Sequence, residues 1–158
     1  MKFLSTDYPS SGSAGNYRID ADRRMRIEEY HGSVGLADWR SVISAMSSDP
    51  CWSPAYHGLV DFSGASLELT SNDVLRVALM LRQEHNRSTG WLAFVASNSS
   101  TYGIVRMLGY WSRFTDRFRI FQDRDEAERW LERNVDQVPP GFIGENGIES
   151  PAVLRNVG

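Results

Sequence analysis

The stretch His57–Ser71, HGLVDFSGASLELTS, decides the fold. Leu59, Val60 and Phe62 read as a short buried strand, Ser63-Gly64 as a small-residue turn, and Thr70-Ser71 as a polar cap opening a long apolar helix. A strand that runs into a helix N-terminus is where α/β proteins tend to place chemistry, because unpaired N–H groups and the positive end of the helix dipole meet there.

Upstream of it, Tyr17-Arg18-Ile19-Asp20 alternates as a strand should, Asp22-Arg23-Arg24 turns, and Met25 to His31 alternates less cleanly, so an antiparallel hairpin is expected. Gly32 and Ser33 break it. Leu36, Trp39, Val42, Ile43 and Met46 then fall at helical spacing over Leu36–Ser47. Asp49-Pro50 ends that helix, and Cys51-Trp52-Ser53-Pro54 is a constrained loop, since the residue before each proline is pushed extended.

Downstream, a helix runs from Asn72 to Arg87, with Val74, Leu75, Ala78, Leu79 and Leu81 apolar. Trp91–Ala96 has no polar alternation and reads as a strand covered on both faces. Ser97-Asn98-Ser99-Ser100 is a run of N-cap residues leading into a helix over Thr101–Phe114. Phe118–Phe121 is a last short strand. Asp123 and Glu126 form an acidic capping box for a final helix, along which Asp125 and Arg129 are spaced as an ion pair.

The order β-β-α-β-α-β-α-β-α predicts an α/β fold: an initial hairpin, then alternating elements, giving a mixed, mostly parallel sheet of about five strands with about four helices. Residues 1–16, rich in Ser and Gly, are expected to be disordered, 17–134 to form the domain, and 135–158 to be an irregular tail. Val138, Phe142, Ile143 and Ile148 are too apolar for water, so the tail is expected to pack somewhere.

Bulk properties prune the function classes. At 158 residues, with 41% hydrophobic and 23% charged residues, the chain can bury a core as one domain. A net charge of −3 and a pI near 5.6 argue against a nucleic-acid binder. Lys2 is the only lysine, which excludes a P-loop lysine or a Schiff base within the fold. Cys51 stands alone, so no intramolecular disulfide or CxxC site forms, and it reads as a small half-buried residue. The N-terminus lacks a signal-peptide pattern and the longest apolar run is strand-sized, so a cytoplasmic location without membrane insertion is expected.

The central segment resembles a STAS domain, the fold of sulfate-transporter tails and anti-sigma-factor antagonists. The family carries V-D-L-S-G-V-T-F-I-D-S-S-G between its third strand and the next helix, and Val60 to Asn72 lies on that pattern without a gap. Thr89 to Val95 resembles the next strand, and Phe118 to Ala127 the closing strand and helix start. Gly32, the Asp49-Pro50-Cys51-Trp52-Ser53-Pro54 loop and Tyr102-Gly103-Ile104-Val105-Arg106-Met107 are similar to the STAS/SEC14-type (SpoIIAA-like) bacterial branch. The resemblance implies a SpoIIAA-like βα superhelix, no catalysis and no cofactor. It also implies a regulatory role through a protein partner or a second copy of the chain, as a homodimer. In phosphorylatable members a kinase modifies the first Ser of D-S-S-G. The matching Thr70, with Ser71 beside it, is the candidate phospho-acceptor, although Leu69 and Asn72 replace the flanking Asp and Gly. The alternative reading of either hydroxyl is helix capping.

Two alternatives come from other classes. A carrier or sensor of a small apolar, anionic or lipid-like ligand would use the helix from Thr101. Ser99 and Ser100 would offer N–H groups there, and Tyr102, Arg106, Trp111 and Arg113 a basic, aromatic wall. The plainer reading of those arginines is a solvated face. A hydrolase would need His57 as base with Asp61, or Cys51 with His57; yet no G-x-S-x-G occurs, and His57 and Asp61 fall at opposite ends of one strand. Asp61, before Ser63-Gly64, is expected to accept backbone N–H bonds of the turn, the alternative being ligand contact through Asp61 and Ser63. No metal-ligand spacing is present.

Overall fold

The computed structural model describes residues 14–85, 89–113 and 116–137. The elements are β1 (Gly15–Asp20), β2 (Met25–Val34), α1 (Leu36–Ser47), β3 (His57–Leu67), α2 (Ser71–His85), β4 (Leu92–Val95), α3 (Ser99–Ser112), β5 (Phe118–Phe121) and α4 (Arg124–Asn134). They form one five-stranded sheet of order β1-β2-β3-β4-β5, with β1–β2 antiparallel and every later pair parallel. This is the alternating α/β architecture expected of a SpoIIAA-like fold. Each crossover steps to the next strand, so strand order never reverses and the sheet has no topological switch point.

Strand alternation divides the core in two. Tyr30, Val60, Phe62, Leu92 and Phe94 face α1, α2 and α3, joined by Trp39, Val42, Val74, Val77, Val105 and Leu108. Their neighbours Met25, Ile27, Leu59, Ala93 and Val95 face α4, against Ala127 and Leu131. β4 is buried at all four positions because helices cover both of its faces. The first core is aromatic at its centre: the Phe62 ring lies 4.9 Å from Tyr30 and 5.1 Å from Trp39. Tyr30 donates its hydroxyl to Glu28 Oε1 at 2.7 Å, and burial together with that carboxylate pushes its pKa well up.

Several boundaries move. β1 begins at Gly15, two residues before the alternation starts, because Gly15 packs directly on the Tyr30 ring and a Cβ there would lie 2.5 Å from it. The largest correction is at Ser63-Gly64, which is no turn: β3 continues to Leu67. Asp61 pairs with Glu29 and Gly64 with His31, so three steps on β3 oppose two on β2, a one-residue bulge. The extra residue flips the parity of the strand. Phe62 before the bulge and Ala65 and Leu67 after it therefore all face the first core. Cys51 is exposed rather than half-buried. The four-residue ion pair on α4 is Arg124–Glu128, at 3.2 Å, not Asp125–Arg129. Residues 1–13 and the apolar tail positions Val138, Phe142, Ile143 and Ile148 lie outside the described residues. No helix of the described residues is long and apolar enough to cross a membrane.

Candidate interaction surface

β2 and β3 outrun β4 at their C-terminal ends, which leaves one edge of β3 beyond Asp61 without a strand partner. The β4–α3 loop covers that edge. Ser97 Oγ donates to the Ser63 carbonyl at 3.0 Å, and Asn98 Nδ2 to the Ala65 carbonyl at 3.4 Å. Asn98 is also the N-cap of α3, its Oδ1 accepting the Thr101 N–H at 2.8 Å. Ser99 and Ser100, expected to precede the helix, form its exposed first turn.

Thr70 caps α2. Its Oγ1 accepts the Asp73 N–H at 3.2 Å while Asp73 Oδ2 accepts the Thr70 N–H at 3.0 Å, a reciprocal box in which Asp takes the place of the usual Glu. The Thr70 N–H, and after it the Thr70 side chain, hold the Asp73 pKa down. Thr70 and Ser71 are both exposed. Ser63, Ser66, Thr70, Ser71, Ser97, Ser99 and Ser100 thus make an exposed rim of hydroxyls at the C-terminal ends of β3 and β4.

Asp61 is structural in its contacts. Its Oδ1 accepts the Ser63 N–H at 2.8 Å, tying the bulge, and its Oδ2 accepts from Arg124 at 3.2 Å on the α4 side of the sheet. The same guanidinium reaches Glu29 at 2.9 Å, the cross-strand partner of Asp61, and Glu128 at 3.2 Å. One arginine from α4 therefore clamps β2 and β3 at the bulge. The expected local bond of Asp61 is present, although it closes a bulge instead of a turn. Asp61→Ala leaves Ser63 N–H without its acceptor and is expected to cost about 1–3 kcal/mol. Asp61→Asn, which keeps an Oδ1 acceptor, costs less. Urea unfolding midpoints of the two variants check that order.

The six other candidates do not form one pocket. Ser99 and Ser100 open α3, whereas Arg113 is its C-cap, about 20 Å away at the rise of a helix. Tyr102 and Arg106 are exposed, while Trp111 leans on the first core. Arg117, which follows α3 in the chain, is buried and donates to the Gly90 carbonyl at 3.0 Å. Two contributors were not singled out from the sequence, Asn98 and Arg124. Asn98 sat among equal cap candidates, and the reach of Arg124 to β2 and β3 becomes visible only once α4 is placed across the sheet.

His57 is fully engaged. Its Nδ1 accepts the Trp91 N–H at 2.9 Å, so the ring proton sits on Nε2 and donates to the Val135 carbonyl at 3.2 Å. That leaves neither nitrogen for a nucleophile, and Asp61 lies four residues along the same strand, bonded to Arg124. Burial holds the His57 pKa below the usual value, outweighing the Val135 carbonyl. A depressed folded pKa means that the unfolded chain binds the proton more readily. The stability contributed by neutral His57 is therefore complete above the unfolded value of about 6.5 and is lost as pH falls below it toward the folded pKa. The drop in urea midpoint between pH 7.5 and pH 5 is expected to be smaller in His57→Gln than in the parent.

No family model and no curated protein matches the chain. Among solved structures, the chain is similar to an uncharacterised protein of the DUF3478 family with a SpoIIAA-like fold from Shewanella loihica PV-4. The two share 16% identity over 68% of this chain and 83% of that one, with a TM-score of 0.48. The fold assignment rests on the strand order and register above.

Proposed function

We propose that this chain is a non-catalytic regulatory module that works by binding another protein through the ridge where α2 and α3 begin. One observation carries the reading: α3 packs closely on the sheet through Gly109 and Phe118, while the ridge is exposed. Between α3 and the sheet, a Cβ on Gly109 would lie 2.6 Å from the Phe118 ring, and Phe118 in turn sits 5.0 Å from Phe94. A carrier needs a cavity there, typically of about 300 Å³ or more. A cleft of about 180 Å³ lies elsewhere, at the N-terminal end of the sheet beside Arg24, Met25, His57 and Leu131. In this reading Thr70 and Ser71 are the regulatory positions. A phosphate on Thr70 would set about two negative charges against Asp73 and compete for the capping bonds that start α2.

The test is affinity capture with the full chain from its own host, with cross-linking and intact-mass analysis of the bait. Cross-links from a partner to the ridge, weakened by Thr70→Glu, are the expected result. A bait that carries only a small molecule would replace this reading with the carrier.

A further inference from the structure

The outer faces of α2 and α3 carry more apolar surface than water tolerates well. Leu75 and Leu79 on α2 are 46% and 48% exposed, and Tyr102, Met107 and Tyr110 on α3 are 39%, 37% and 74% exposed. Both helices are crossovers between parallel strands, so they run in the same direction, and they pack on one another. Leu75 and Leu79 lie one turn apart on α2, and Gly103, Met107 and Tyr110 form a stripe at helical spacing on α3. At Gly103 a Cβ would meet nothing within 4 Å, so the face has an open notch between its apolar residues.

The charge on this face is mainly positive, although Asp73 lies one turn before Arg76 and feels its charge. Arg76, Arg106 and Arg113 are exposed among these residues, and none forms an ion pair with a described residue. The carboxylate positions on the two helices are Asp73 and Glu84, toward opposite ends of α2, and Asp73 is held in the Thr70 cap. An arginine-bearing apolar face in a chain of net charge −3 calls for a partner of opposite sign. Two-fold pairing of this face with a second copy would set arginines against arginines, which disfavours self-association here. Tyr, Met and Arg are also the residues enriched at protein interfaces, and a parallel helix pair with a notch offers a trough for a third helix.

We propose that the α2–α3 face docks an acidic amphipathic helix of another protein. Leucine-type anchors would sit over Leu75, Leu79 and Gly103, and carboxylates would meet Arg76, Arg106 and Arg113. The inference rests on the reading of the chain as an interaction module and gives that module its partner chemistry.

The probe is a displayed library of amphipathic helices of about five turns with a constant leucine face and randomised flanking charges. It is selected on the full chain and counter-selected on Gly103→Glu. Gly103→Glu adds bulk and negative charge into open space and improves helix propensity, so the fold is retained. Leu79→Glu, on a half-exposed position, is the second variant. The expected result is enrichment of Glu- and Asp-flanked helices, with roughly tenfold or greater loss of affinity in both variants and weakening as salt rises. Three results would overturn the proposal: no enrichment, enrichment of neutral or basic flanks, or affinity unchanged by both variants. It is equally overturned if the two variants abolish cosedimentation with phosphatidylglycerol vesicles, or self-association, while leaving helix binding intact. If host capture finds a partner cross-linked only to other surfaces, the docking face fails and the module reading stands. If neither capture nor selection yields a protein ligand, both fail.

Discussion

Phe62→Ala is expected to remove about 3–5 kcal/mol of stability, seen as a large fall in the urea midpoint with little change in slope. Phe62 is fully buried at the point where four rings meet, 4.9 Å from Tyr30, 5.1 Å from Trp39 and 6.2 Å from Phe94. Truncation forfeits the transfer free energy of the ring and leaves a hole that its neighbours fill poorly. Trp39 is fixed by α1, and Tyr30 by its bond to Glu28. Phe62 is also the residue beside the bulge, so the cavity opens where β3 changes parity. Phe62→Leu, which keeps most of the volume, is expected to cost about half as much or less. A variant series in which Leu costs as much as Ala would mean that ring geometry, not volume, holds this core.

The alternation of strands and helices was legible because each element is long enough for its period to show. α1 spans Leu36–Ser47, as its apolar spacing predicts. β4 was legible for the opposite reason, since a run without polar alternation means two covered faces. Ser63-Gly64 was misread because a turn and a bulge leave nearly the same trace. Both interrupt alternation and both favour small residues. The distinguishing signal lay downstream, where Ala65 and Leu67 resume alternation in the opposite phase from Val60 and Phe62. A turn would have started a new element; a bulge resumes the old one with its parity shifted.

The candidate site was less legible than the fold. Thr70 and Asp61 do what short polar side chains do locally, and local bonds are what sequence encodes best. Whether Ser99, Arg106 and Arg113 share a pocket depends on the length and axis of α3, and the helix spreads them apart. That helix carries more aromatic residues than one buried stripe requires. Which of them point outward depends on where α2 lies: Tyr102 and Tyr110 are exposed, while Trp111 packs inward.

Gly90→Ala is expected to destabilise by about 2–4 kcal/mol, although it adds a single methyl group. A Cβ on Gly90 would overlap the Tyr56 carbonyl oxygen and lie 2.8 Å from its carbon and 3.0 Å from His57 Cα. These are backbone atoms, so no rotamer change relieves the contact. Relief requires the entry of β3 to move away from Trp91. That movement strains the Trp91 N–H bond to His57 Nδ1, the Gly58 N–H bond to the Trp91 carbonyl and the Arg117 bond to the Gly90 carbonyl, at 2.9, 2.8 and 3.0 Å. The chemically identical change Gly103→Ala is expected to have the opposite sign. Nothing lies within 4 Å of its Cβ position, and alanine gains up to about 1 kcal/mol over glycine within a helix. Thermal or urea unfolding of the pair, measured side by side, separates the steric role of Gly90 from any general effect of losing a glycine. If both variants shift the same way, Gly90 is tolerant and the close approach of β3 and β4 at this end is softer than the geometry implies.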